Sequence, residues 1–187
     1  MKNIVLLISG MPATGKTSFA KWLSSKMRVP LVCYDHIVEK TIGFAKERCE
    51  NEEEERKIFR GFPDSFLMFM IEENMKSSCL FIIDFFFYNQ MNDALKTLTD
   101  KYNYEAITVH MDTTIEKAHQ RFHERGKNDM GMRPKEIPFE KFAKGAQQNK
   151  DFRFGDYLVY VDTEDFAMVS YEDIAVQVQK YMDEIVQ

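Results

Sequence analysis

The chain has 187 residues, 30 acidic against 25 basic side chains and a net charge of −5, which predicts a single soluble domain spanning residues 1–187. Its longest apolar runs, 4–8 and 80–87, fall short of the roughly 18 residues that a membrane span needs. No secretory signal is recognisable at the start of the chain, so we expect a cytoplasmic protein with no membrane partner. Three scattered cysteines argue against a disulfide framework or a zinc site, and the mild acidity disfavours broad nucleic-acid binding.

Strand and helix patterns alternate along the chain. The apolar run 4–9 ends at Gly10 and indicates a strand buried on both faces. A helix is predicted from Gly15 or Lys16 to Met27, because apolar residues recur there at a spacing of four. Four further strands are predicted, with helical stretches between them, at 29–34, 80–83, 105–111 and 157–161. This alternation predicts an α/β fold of three layers, with a five-stranded parallel sheet flanked by helices.

Three helical segments carry additional signals. A capping signature at 113–116 starts a helix that we expect to end at Gly126, and Ser170 starts the last helix. Segment 62–75 is apolar on more than one face, which indicates burial in the domain or across a dimer interface. The oligomeric state stays open at this stage.

One motif carries chemistry. Residues 10–17 read GMPATGKT and fit G-x-x-x-x-G-K-[ST] directly after a predicted strand and before a predicted helix. This is the pattern of a phosphate-binding P-loop, in which backbone N–H groups and a helix N-terminus face the anion. The nucleotide-binding residues predicted from it are Gly10, Met11, Pro12, Ala13, Thr14, Gly15, Lys16, Thr17 and Ser18. Lys16 is expected to reach the β- and γ-phosphates of ATP, and the Thr17 hydroxyl to bind Mg²⁺.

Two classes of P-loop protein are disfavoured. The candidate guanine-reading segment at 149–152 has its aspartate one place early, so guanine specificity is unsupported. A large motor needs more chain and an acidic pair at a strand end, whereas Phe85 follows Asp84.

The P-loop, Asp35 after the second strand, Asp84 after the third and the arginines of 121–133 occur in the order of the small P-loop kinases. In layout the chain resembles the zeta-toxin, chloramphenicol-phosphotransferase and polynucleotide-kinase group, with a nucleoside-monophosphate-kinase-like fold. The resemblance implies that Asp35 is the general base, and capping of the following helix is the alternative. It also implies that Asp84 serves Mg²⁺ or orients the acceptor.

Two features depart from that group. Val38 stands where polynucleotide and nucleotide kinases often place a phosphate-gripping arginine, so an anionic acceptor is disfavoured. The aromatic run 85–88 stands where phosphate-handling relatives tend to be small or polar. These rings either line an apolar acceptor pocket or belong to the core, and we favour the core.

The resemblance further implies a lid at about 126–137 that closes over ATP and excludes water. Arg125 and Arg133 are the expected transition-state contacts, and Arg121 is expected to stack on adenine or hold phosphates. Thr163 is expected to contact the adenine through its backbone. His119 and His123 stand four apart as metal ligands can, but no third ligand is suggested, so we interpret them as structural.

The resulting hypothesis is a kinase that transfers the γ-phosphoryl group of Mg-ATP to a hydroxyl of a small molecule. One alternative is a nucleic-acid 5′-hydroxyl or tRNA kinase, and another is an ATP-binding regulatory protein that transfers nothing. The sequence leaves the acceptor open, because acceptor choice in such enzymes resides in variable helices, here 36–78.

Overall fold

The structure, a computed structural model, describes residues 2–59, 62–126 and 137–187. Within these ranges five strands form one parallel sheet in the order β2-β3-β1-β4-β5. The strands are β1 (Asn3–Gly10), β2 (Leu31–Cys33), β3 (Leu80–Asp84), β4 (Tyr104–Asp112) and β5 (Tyr157–Asp162). The predicted sheet is confirmed, although β2 is shorter than expected.

In the part of the chain that the structure describes, eight α-helices connect and cover these strands. They are α1 (Lys16–Met27), α2 (Tyr34–Arg48), α3 (Glu52–Phe59), α4 (Phe62–Ser77), α5 (Asn92–Tyr102), α6 (Ile115–Gly126), α7 (Phe139–Lys150) and α8 (Tyr171–Val186). In the described ranges no helix is both long and apolar enough to cross a membrane.

Both faces of the sheet are covered, because alternate residues of β1 enter two different cores. Val5 and Leu7 pack with the buried residues of α4 and α5. Ile4, Leu6 and Ile8 pack with those of α1 and α8. A strand buried on both sides has no polar face, which is why β1 reads as an unbroken apolar run.

The strand order reverses direction at β1. From β1 the chain passes by way of β2 to β3 on one side of it, and then crosses to β4 and β5 on the other. Helices leaving the carboxyl ends of β1 and its neighbours diverge at this point and leave a crevice, where open α/β sheets bind ligands. The P-loop begins at Gly10, the last residue of β1.

Two helix starts test the capping predictions. The Ser170 hydroxyl accepts a hydrogen bond from the Asp173 amide, as predicted for α8. At α6 the cap is Thr114 instead of Thr113. The Thr114 hydroxyl accepts a hydrogen bond from the Lys117 amide, whereas the Thr113 hydroxyl donates one to the Glu164 carboxylate. The signature therefore located the helix but missed its cap by one residue.

Helix α4 is apolar on two faces, as the sequence indicated. Leu67, Ile71 and Met75 are buried in the core. On the other face Phe62 and Phe69 are 51 % and 52 % exposed, and Phe66 stacks between them. One apolar face of α4 is thus used within the domain and the other lies at its surface.

A buried polar cluster lies at the carboxyl end of β4. His110 is fully enclosed, and its two ring nitrogens have no hydrogen-bond partner among the described residues. Burial, with Arg153 and Lys150 contributing and Asp112 opposing, lowers the pKa of His110 from its ordinary 6.5 to about 4. The imidazole is therefore neutral at pH 7 and resists protonation in the folded state.

This shift predicts an acid sensitivity that depends on one residue. As pH falls below 6.5, the unfolded chain binds a proton at His110 that the folded protein refuses until about pH 4. Stability should therefore fall by roughly 3 kcal/mol over that interval. Denaturant unfolding between pH 7 and pH 4 should show a shallower decline for His110→Gln than for the wild type, while the exposed-site variant His36→Gln should retain the wild-type slope. Equal slopes in all three proteins would contradict the prediction.

Candidate active site

The loop between β1 and α1 has the backbone of a phosphate-binding loop. Ala13 (φ 65°) and Gly15 (φ 85°) adopt left-handed conformations that curl the chain. The Thr14 hydroxyl donates to the Met11 carbonyl at 2.9 Å, and both side chains are buried. Met11 and Thr14 thus hold the loop's shape, and only their backbone N–H groups would be available to an anion.

A cavity of about 980 Å³ opens beside this loop, and we call it the acceptor cavity. Lys16, Asp35 and Asp84 are among its charged lining residues, and Pro12 of the loop lines it as well. Val38 and Phe86 are among its apolar lining residues. Its volume lies in the range of ligand pockets, roughly 300–1,000 Å³. The fold therefore brings three charged residues, predicted from separate segments of the sequence, to one cavity.

Asp35 lies in the first turn of α2. The helix begins at Tyr34, and its N-cap residue is Cys33, which makes no side-chain capping bond. The alternative that Asp35 is the N-cap is therefore wrong. A carboxylate in the first turn interacts favourably with the helix dipole, and this one lines the acceptor cavity.

Asp84, the last residue of β3, is only 2 % exposed. Its Oδ2 accepts a hydrogen bond from the Cys33 thiol at 3.3 Å, and its Oδ1 has no hydrogen-bond partner in the described part of the chain. Burial raises the pKa of Asp84, and the charge of Lys16 and the Thr17 hydroxyl oppose that rise. Burial and the Asp84 charge in turn raise the pKa of Cys33 to about 12, so the thiol remains a donor.

These residues fit a Mg²⁺ site. Mg²⁺ takes oxygen ligands, usually one or two from the protein and the rest from phosphates and water. The unpartnered Asp84 oxygen and the Thr17 hydroxyl beside it are such donors. Across the described ranges no three His, Cys, Asp or Glu side chains form a metal-binding group, so the phosphates would have to supply the remaining ligands.

Asp84→Asn is expected to stabilise the protein at pH 7 by about 0.5–2 kcal/mol, as substitutions that relieve a functional constraint often do. The raised pKa means that folding disfavours the ionised carboxyl, so the cost is present at neutral pH and absent below the ordinary value of 3.8. The free energy of unfolding measured in urea should thus be higher for Asp84→Asn than for the wild type at pH 7. The two values should converge as the pH is lowered. The exposed Asp93→Asn serves as control, and a less stable Asp84→Asn protein would refute the expectation.

A second cavity of about 630 Å³, which we call the nucleoside cavity, lies on the other side of the P-loop. Ala13, Gly15 and Ser18 line it, and so do two arginines of α6. Arg121 donates to the carbonyls of Thr163 and Glu164 at 2.7 and 2.8 Å. Its guanidinium carbon lies 4.0 Å from the ring centre of Phe166, so two hydrogen bonds and one ring contact hold the guanidinium group in place.

Other predicted site residues are placed differently. The Thr163 carbonyl accepts a hydrogen bond from Arg121, and the Thr163 hydroxyl donates one to the Asp112 carbonyl. Thr163 thus helps to fix the position of the arginine. Arg125 lines both cavities. Arg133 and the predicted lid around it lie outside the described residues.

The aromatic run after Asp84 divides between two roles. Phe85 and Phe87 are buried and belong to the core, as favoured, and Phe85 also borders the acceptor cavity. Phe86 is only half-buried and lines the same cavity. Sequence reasoning missed Cys33, which supports Asp84, and Phe166, which supports Arg121. No motif marks either residue, because each contact joins distant parts of the chain.

Comparison with known proteins identifies the family. The model of the family described as "Chromatin associated protein KTI12" matches residues 4–184, nearly the whole chain. The chain belongs to the KTI12 family. No curated protein sequence matches it.

The KTI12 chain is similar in fold to several solved structures of kinases. A candidate kinase from Chloroflexus aurantiacus has a TM-score of 0.77 and 19 % identity, with 98 % of each chain covered. A gluconokinase from Sinorhizobium meliloti has a TM-score of 0.55 and 14 % identity over 92 % of this chain and 87 % of its own. A shikimate kinase from Bacteroides thetaiotaomicron has a TM-score of 0.50 and 15 % identity over 98 % and 99 %. This KTI12 chain therefore has the P-loop kinase fold. The finer resemblance to the zeta-toxin group remains a prediction.

Proposed function

We propose that this KTI12 protein is an ATP-dependent phosphotransferase that moves the γ-phosphoryl group of Mg-ATP to a hydroxyl of a small-molecule acceptor. The observation that carries the proposal is that Lys16, Asp35 and Asp84 line one cavity beside the P-loop. Kinase folds among the similar structures agree with this chemistry.

Each group has a role in the transfer. Asp35 accepts the proton of the acceptor hydroxyl, whose oxygen forms the new bond to the γ-phosphorus. The bond from that phosphorus to the bridging oxygen breaks, and ADP leaves with the electron pair. Lys16 neutralises charge on the β- and γ-phosphates. Arg125 lines both cavities, and we expect it to contact the transferring group.

The nucleoside half of ATP fits the second cavity. The guanidinium of Arg121, which lines this cavity and packs on Phe166, is a planar group on which a base can stack. Thr17 and Asp84 would hold Mg²⁺, which when bound neutralises developing charge on the phosphates.

The acceptor is expected to be neutral and partly apolar. Val38 and Phe86 line the acceptor cavity. Val38 occupies the position at which polynucleotide and nucleotide kinases often have an arginine that binds a substrate phosphate. Glu39 and Lys40 also line the cavity and offer hydrogen bonds to hydroxyl or amine groups.

A second candidate is a nucleotide-dependent interaction protein. The family is described as chromatin associated, and the surface row Phe62, Phe66 and Phe69 is the kind of apolar patch that marks a macromolecular contact. In this reading ATP binding would control association, and no phosphate would move.

A transfer screen separates the two. Labelled ATP and Mg²⁺ are incubated with pools of nucleosides, antibiotics, sugars and 5′-hydroxyl oligonucleotides. Asp35→Asn should lower transfer to the labelled pool by about 10²–10⁴-fold while MgATP affinity is unchanged. Asp93→Asn is the matched control, because Asp93 is also the second residue of its helix and is exposed.

The outcomes are distinct. Transfer that survives Asp35→Asn would remove Asp35 as the base. ATP binding without transfer to any pool would favour the interaction protein over the kinase.

A further inference from the structure

Three polar atoms converge beside α6, on residues that line neither of the two cavities. The Nε2 atoms of His119 and His123 lie 2.9 Å apart. The main-chain oxygen of Ile137 lies 2.9 Å from the first and 3.1 Å from the second. The three atoms thus form a nearly equilateral triangle that joins α6 to the residues just before α7.

Hydrogen bonding between neutral groups always leaves one contact of this triangle unfavourable. A neutral imidazole Nε2 either donates or accepts, and a carbonyl oxygen only accepts. If one Nε2 carries hydrogen, the lone pair of the other faces the carbonyl lone pairs. If both carry hydrogen, both can donate to the carbonyl, but the two N–H dipoles then lie side by side at 2.9 Å and repel each other. A cation placed among the three atoms interacts favourably with every lone pair.

Neighbouring rings hold the imidazoles in this arrangement. Phe139 and Phe142 pack edge-to-face on His119, with ring centres 5.3 and 5.2 Å away. Phe122 packs perpendicular to His123 at 6.0 Å. Aromatic packing of this kind fixes ring orientation, so the two nitrogens converge before any ligand binds.

The geometry points to a binding site for one divalent transition-metal ion of the Zn²⁺ class, held by His119 Nε2, His123 Nε2 and the Ile137 carbonyl oxygen. Imidazole is a preferred ligand of such ions, and histidines four apart on a helix can share one. Zn–N bonds of about 2.0–2.1 Å need the nitrogens slightly further apart, which a small rotation of either ring supplies. Water completes the coordination.

The site adds a structural link to the protein. His119 and His123 stand on the helix that carries Arg121 and Arg125, and Ile137 leads into α7. A bound ion would tie these two helices together and stiffen the helix that presents both arginines. The site itself does not depend on the proposed phosphate transfer.

Metal binding by the nucleotide-free full chain tests the inference. Calorimetric titration with Zn²⁺, in excess Mg²⁺ to occupy oxygen-donor sites, should give one ion per wild-type chain. His119→Gln and His123→Gln should each weaken binding at least about tenfold. His36→Gln, at an exposed histidine on α2, should bind as the wild type does. Circular dichroism checks that each variant folds.

Cobalt supplies an independent readout. Co²⁺ should give d–d absorption bands without a thiolate charge-transfer band, because none of the three cysteines belongs to the site. Zn²⁺ should raise the melting temperature of the wild type and leave that of the double variant His119→Gln/His123→Gln unchanged. The inference is overturned by an absence of stoichiometric binding, by equal binding in all variants, or by a thiolate band.

Discussion

Gly10→Ala should destabilise the protein by about 4 kcal/mol or more, which is within the exceptional range for one substitution. A Cβ at this position would lie 2.3 Å from the Met111 carbonyl oxygen and 2.7 Å from the Thr14 hydroxyl. The first is main chain of the neighbouring strand β4, and the second is held by its bond to Met11. Neither can withdraw without breaking the sheet or the loop, and the backbone φ of +154° is itself unfavourable for alanine.

Thermal or urea unfolding measures this effect, and Gly145→Ala is the matched control. Gly145 lies in α7, where a Cβ would meet nothing within 4 Å. That substitution should stabilise the protein by about 0.5–1 kcal/mol, because alanine loses less backbone freedom in a helix than glycine does. A Gly10→Ala protein that unfolds like the wild type would show that the P-loop does not pack against β4 as described.

Lys16→Met should abolish most phosphate transfer while leaving the fold intact. Lys16 lines the acceptor cavity, and its charge acts on Asp84. A charged group that stabilises a transferring phosphoryl is worth about 10³-fold or more in rate. MgATP affinity should fall by about tenfold to a hundredfold, the range for losing one charge-assisted hydrogen bond. Methionine retains most of the side-chain volume, and the loss of a positive charge from the first turn of α1 is favourable.

The control for Lys16→Met is Lys21→Met, an exposed lysine on the same helix. Nucleotide binding is read by calorimetry and stability by denaturant unfolding, so a folding defect is distinguished from a binding defect. Unchanged MgATP affinity in Lys16→Met would contradict the assignment of the P-loop as the nucleotide site, whatever acceptor the protein uses.

Stability and function oppose each other at this site. Asp84 is an ionisable side chain in a buried position, where burial disfavours its charged form and raises its pKa. Gly10 lies where a Cβ would overlap neighbouring atoms. Active sites commonly keep such costly groups because the ligand needs them. The predicted gain in stability of Asp84→Asn follows from the same burial that leaves Asp84 Oδ1 without a hydrogen-bond partner among the described residues.

Local patterns in the sequence were sufficient for the fold and the P-loop. Strand β1 is buried on both faces, so it reads as an apolar run, and the loop after it needs glycine and lysine at a set spacing. The apolar run and the spacing of glycine and lysine can both be recognised from residues that are close together in the sequence. The carboxyl ends of parallel strands meet at one edge of a sheet, so the placement of Asp35 and Asp84 near Lys16 also followed from the order of elements.

Contacts between distant segments became visible only in the folded chain. Cys33 donates to Asp84 across 51 residues, and Arg121 reaches the Thr163 carbonyl across 42. The triangle of His119, His123 and Ile137 needs the chain to return from α6 to α7. Periodicity shows which face of an element is buried, but it does not show which side chain of another element faces it. Partners of this kind depend on how the helices pack, and that is a property of the whole tertiary structure.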